Sequence, residues 1–68
     1  MGNNNNEILK NAINKKELIS FKLLNSDWSE KNVEVIYIDN DDVENKEFKI
    51  KTNKGEVYTY FSNNVQIF

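Results

Sequence analysis

The stretch NVEVIYID, residues 32–39, decides how this chain folds. Val33 and Val35 alternate with Glu34, the two-residue period of a strand with one buried face. Ile36 and Ile38 then take the opposite phase, with Tyr37 between them. A strand that switches its apolar phase midway is buried on both faces, or it is bulged or sharply bent. In small barrels one strand must bend to belong to both sheets. The spacing predicts such a bend near residues 35–37.

The neighbouring segments alternate more simply. In LISFKLLN (18–25), Ile19, Phe21 and Leu23 share one face, with Ser20 and Lys22 on the other. EFKIKT (47–52) sets Phe48 and Ile50 against Glu47, Lys49 and Lys51. NKG (53–55) is a turn, because Gly55 can take positive φ, and EVYTYF (56–61) completes a hairpin. After Asn63-Asn64 comes a last segment, VQIF (65–68). A two-residue hairpin and a tight corner both fit those asparagines. The corner is preferred, because it carries the last strand across to the first and leaves fewer naked edges.

Upstream the period changes. Ile8, Leu9, Ala12 and Ile13 fall on one face of a helix over residues 7–17, with Lys10, Asn11, Asn14 and Lys15 opposite. Asn6 suits the cap, Glu7 the first turn, and Lys15 and Lys16 the last. Eleven residues make a marginal helix alone, so the apolar stripe must lie on the sheet. MGNNNN (1–6) is polar and low in complexity and is expected to be a disordered tail, leaving residues 7–68 as a single domain. Gly2 does not make a myristoylation signal, because Asn6 stands where Ser or Thr is required.

Composition narrows the function. At 68 residues the core is marginal, and small scaffolds usually need a staple. Cys and His are absent, which removes disulfides and the usual zinc sites and leaves self-association. Nine Lys face 11 acidic residues for a net charge of -2, the wrong balance for a strong non-specific nucleic-acid binder. Arg is missing, and with it bidentate phosphate clamps. No run reaches the length of a membrane span and no signal segment is visible, so a cytoplasmic location without membrane attachment is expected. The available acid–base groups sit in no recognisable nucleophile or phosphate-cradling motif. No enzyme activity, cofactor, metal or small-molecule substrate is therefore expected.

Several segments carry a family likeness. ISFKLLNS (19–26) resembles the first strand of the bacterial Hfq proteins, where a run like V-S-I-Y-L-V-N-G is found. VYTYFSNNV (57–65) is similar to their V-Y-K-H-A-I-S-T-V segment. YFSNNVQIF (60–68) resembles the I-R-G-D-N-V-V-Y-I signature of other Sm-like proteins, and DDVEN (41–45) keeps the Asp and Asn of their D-x-x-M-N loop. NAINKKELISF (11–21) and the last segment also resemble a WYL domain, a related small barrel. The Sm-like resemblance implies a mainly β fold with one N-terminal α-helix and a five-stranded Sm-like or SH3-like barrel. It further implies rings, in which strand four of one subunit pairs strand five of the next, and RNA held around the pore. The departures lie in that RNA site. Phe61-Ser62 replaces its Arg-Gly, Thr59-Tyr60 its Lys-His, and Lys22 its first-strand aromatic, while Asn45 and Asp41 stand in matching places.

Four features carry the functional expectations. Tyr58 and Tyr60, with Lys49 and Lys51 on the neighbouring strand and Asn45 in the loop, form a candidate RNA-binding platform of stacked rings and cations. The same tyrosines also suit a subunit interface or an ordinary half-buried strand. Trp28, in SDWSE (26–30), either covers the core or anchors a partner, and Asp27 and Glu30 have the spacing of a helical turn. Val65, Ile67 and Phe68 are candidates for a subunit or partner interface. DNDDVE (39–44) is an acidic loop without the Gly and spacing of a calcium site. The expectation is a non-catalytic Sm-like assembly module, a homo-oligomer with RNA as partner. The alternative is an adaptor or inhibitor from a mobile element, binding a protein through barrel edges and the acidic loop.

Overall fold

The computed structural model describes residues 4–68. One helix, α1 (Asn4–Lys15), precedes five strands: β1 (Leu18–Leu23), β2 (Ser29–Ile38), β3 (Glu47–Lys51), β4 (Val57–Phe61) and β5 (Val65–Ile67). A short 3-10 turn, η1 (Ser62–Asn64), separates the last two. The strands form one antiparallel sheet in the order β4-β3-β2-β1-β5. The corner at the two asparagines is thus real: β5 leaves β4 and pairs with β1. The sheet does not close, because η1 turns the chain away and β4 and β5 become its two edges.

The phase switch in residues 32–39 is a bulge. Val35 pairs with Ile50 and Tyr37 with Lys49, so Ile36 is the extra residue. Val33, Val35 and Ile38 face the core, while Ile36 and Tyr37 turn to solvent. Only one face is buried, and the extra residue resets the alternation. A second bulge lies in the same strand. Ile19 pairs with Val33 but Phe21 with Glu30, and Asn32 takes φ 54° while its N–H donates to Ser20 Oγ at 3.0 Å. Asn is among the few residues that enter this left-handed region readily. Two bulges in one ten-residue strand curl the sheet around its core.

That core joins Leu9 and Ala12 of α1 to Ile19, Phe21, Val33, Val35, Ile38, Phe48, Ile50 and Val65. Phe21 and Phe48 are fully buried and meet edge to face, with ring centroids 5.6 Å apart. Each contributes about 1.5–3 kcal/mol by leaving water. Helix α1 lies on β2 and η1. Its last turn is closed by Glu17 N–H to Ala12 C=O and Lys16 N–H to Ile13 C=O, with Lys16 at φ 55°. This is a Schellman end with lysine where glycine is usual.

Three expectations need correction. The helix starts at Asn4, so residues 4–6 are not a tail; residues 1–3 lie outside the described residues. Asn5 Nδ2 donates to the carbonyls of Ser62 and Val65, both at 2.9 Å, and Asn6 Nδ2 to that of Glu44 at 2.7 Å. The polar run is tied to η1, β5 and the acidic loop. Second, residues 27–30 form no helical turn: Ser29 and Glu30 already belong to β2, and Glu30 is buried opposite Phe21. Third, Val65 is not free for an interface, because its side chain fills the core.

Candidate functional site

The two sheet edges follow from the parity of the ladder. Antiparallel pairs alternate between residues that exchange backbone hydrogen bonds and residues that do not. Ser62 N–H donates to Lys46 C=O at 2.8 Å and Thr52 N–H to Glu56 C=O at 2.8 Å, so the bonded pairs between them are Phe48–Tyr60 and Ile50–Tyr58. The main-chain groups of Val57, Thr59 and Phe61 therefore point away from β3, along the outer edge of β4. The same reasoning applies to β5. Leu24 N–H meets Asn64 C=O at 2.8 Å and Phe68 N–H meets Ser20 C=O at 3.0 Å, so Gln66 is bonded to Lys22 and Val65 and Ile67 face outward. Asn5 takes the Val65 carbonyl, and Ile67 keeps both of its groups on the edge. The segment of residues 65–68 is held as the sequence pattern requires, with Phe68 72% exposed beyond it.

The platform expected from Tyr58, Tyr60, Lys49 and Lys51 is divided by the sheet. Phe48 and Ile50 face the core, and their partners Tyr60 and Tyr58 share that inner face. Lys49 and Lys51 pair with Thr59 and Val57 on the outer face. There Lys49 Nζ is engaged by Glu47 at 3.5 Å and Thr59 Oγ1 at 2.9 Å and lies 6.0 Å from the Tyr37 ring centroid. The rings and cations therefore do not form one surface. Asn45 Oδ1 accepts the N–H of Asn63 at 3.0 Å and so steadies the corner. The acidic loop is held by its own turns and by Lys46 Nζ on the Asp41 carbonyl.

On the inner face Tyr60 spans the open mouth of the sheet. Its ring meets Phe21 edge to face at 5.1 Å, and its hydroxyl donates to Glu30 Oε2 at 2.8 Å. Trp28 Nε1 donates to that same oxygen at 2.8 Å. Burial, and then the hydrogen bond to Glu30, push the Tyr60 phenol up to about 12. Tyr58 is also raised, chiefly by the charge of Glu56 and to a lesser extent by that of Glu30. The mouth thus gathers Trp28, Glu30, Glu56, Tyr58 and Tyr60. Alongside it a cavity of about 220 Å³ opens between β4 and the loop after β1, lined by Leu23, Ser26, Tyr60, Phe61 and Asn64 among others.

Glu30 was not legible as part of a site, since its spacing from Asp27 pointed to a helix cap. Its inward direction depends on the bulge at residues 31–32, which no Gly announces. Among the described residues no group of three or more His, Cys, Asp and Glu could hold a metal ion. No described helix is long and apolar enough to cross a membrane. The fold and its edges define a small, mainly β domain with an open five-stranded sheet. Comparison with protein-family models, curated proteins and solved structures found no match to this chain.

Proposed function

We propose that this chain is a non-catalytic binding and assembly module that works by strand addition, the β4 edge of one copy pairing with the β5 edge of another. One observation carries the reading: among the described residues β4 and β5 are both edges, and the outward main-chain groups of Val57, Thr59 and Phe61 have no strand beside them. Unpaired edges of this kind are templates for another chain. Val57 and Phe61 are 51% and 42% exposed on the same strand, apolar area that a neighbouring subunit would cover. The edge strand carries no Pro, and its own side chains bear no charge, so the usual protections against pairing are missing. The Sm-like resemblance of residues 57–68 points to the same pair of strands.

Protein is favoured over RNA as the partner. Tyr60 is committed to the inner face, Lys49 to its neighbours, and the mouth of the sheet presents carboxylates. The test is the mass in solution of the wild-type chain and of Thr59→Pro. Proline at that position removes an N–H that points away from β3, so the sheet itself keeps its ladder. The expected result is a discrete oligomer for the wild type and a folded monomer for the variant. A wild-type chain that stays monomeric at high concentration, or a variant that assembles equally well, overturns the reading.

A further inference from the structure

Glu30 is 8% exposed, on the face of the sheet that carries Phe21 and Phe48. A carboxylate removed from water is costly unless something pairs with it. Its two hydrogen bonds come from neutral donors, Trp28 Nε1 and Tyr60 Oη, and both fall on Oε2. Among the described residues the ion pair is elsewhere, between Lys49 and Glu47. Neither hydrogen bond uses Oε1, which is not among the buried unpartnered atoms and so keeps some contact with solvent at the mouth. The walls of that mouth are aromatic: Trp28 is 56% exposed, Tyr58 40%, and Tyr60 half-buried. Glu56 adds a second carboxylate, whose charge raises the Tyr58 phenol.

We infer that this mouth is a binding site for a primary alkylammonium, the side chain of a lysine on a partner polypeptide. The carboxylate supplies one charge-assisted hydrogen bond through Oε1, and the rings supply cation–π attraction. The geometry selects ammonium over guanidinium. An arginine fork needs two oxygens, and Oε2 already accepts two bonds, whereas a lysine head is a point charge that one oxygen serves. The site lies on the inner face of a single copy and does not depend on edge pairing, so its fate and that of the assembly reading can be separated.

Trp28 is the only tryptophan in the chain, so its emission and its indole N–H resonance report on the site without a label. The probe is a short blocked peptide, acetyl-Gly-Lys-Gly-amide, titrated into the full chain beside its Arg and acetyl-lysine counterparts. A saturable shift of the Trp28 signals with the lysine peptide is expected. Binding of the arginine peptide should be weaker by about tenfold or more, with none for acetyl-lysine. Glu30→Gln retains an oxygen for Trp28 and Tyr60 but should lose the response while its assembly mass is unchanged. No saturable shift in the wild type, equal response to acetyl-lysine, or an unaltered response in Glu30→Gln overturns the assignment. Should Glu30→Gln fail to fold, the three peptides on the wild-type chain still decide it.

Discussion

Replacing Asn5 by alanine separates a latch from a tail. If residues 4–6 were merely the start of a helix, Asn5→Ala would stabilise the chain slightly, since alanine gains up to about 0.7 kcal/mol over an ordinary residue in helix propensity. The structure predicts the opposite sign. Asn5 Nδ2 donates to two carbonyls at 2.9 Å, those of Ser62 and Val65, and both are lost in the variant. At roughly 0.5–1.5 kcal/mol each, the pair contributes about 1–3 kcal/mol. Subtracting the full propensity gain still leaves a net loss of about 0.3–2.3 kcal/mol. At about 4–8 °C per kcal/mol for a domain of this size, Tm should fall by roughly 1–18 °C. Thermal melts followed by circular dichroism measure it, with exposed Asn4→Ala as the control that should leave Tm nearly unchanged. An Asn5→Ala protein as stable as the wild type, or more so, would refute the latch.

Other perturbations test the corner, the helix end and the mouth. Ser62 is fully buried, and its Oγ accepts the Lys46 N–H at 2.9 Å, so Ser62→Ala should cost about 1–3 kcal/mol in urea unfolding by stranding that donor. Lys16→Gly should raise stability by about 1 kcal/mol, because Lys16 ends the helix at φ 55° and glycine enters that region without strain. A lower unfolding midpoint would contradict that account of the helix end. In an ultraviolet titration of tyrosinate, one ring of the folded chain should ionise near pH 12, and Tyr60→Phe should remove it. Because this folded-state value lies above the usual 10.0, the stabilisation is intact below pH 10 and is lost as pH rises from 10 toward 12. A Tyr60→Phe protein showing the same late transition would place that phenol elsewhere.

Much of the fold was written in local patterns. Alternation located the strands, and the opposite phase of Ile36 and Ile38 marked the bulge, because an extra residue must shift the period by one. Asn63-Asn64 marked the corner, although the last strand's partner is β1 only because the chain turns through η1. What local pattern could not carry was direction across the sheet. Tyr58 and Tyr60 looked like an outward platform beside Lys49 and Lys51, yet register with Ile50 and Phe48 turns them inward. Glu30 faces the core through a bulge that rests on Asn32, a residue that equally suits an ordinary loop. The asparagines of the helix's first turn read as low complexity because their bonding partners lie some 38 to 60 residues away in sequence.

Amide hydrogen exchange along β4 examines strand addition at the atoms concerned. Within one copy, only the N–H groups of Tyr58 and Tyr60 are bonded to β3, so an isolated domain would show slow exchange at those two and fast exchange at Val57, Thr59 and Phe61. Edge pairing between copies predicts protection at all five positions, with the outer three opening as the protein is diluted. Should the outer three exchange freely at every concentration while the inner two stay protected, the β4 edge is bare in solution and does not join one chain to the next.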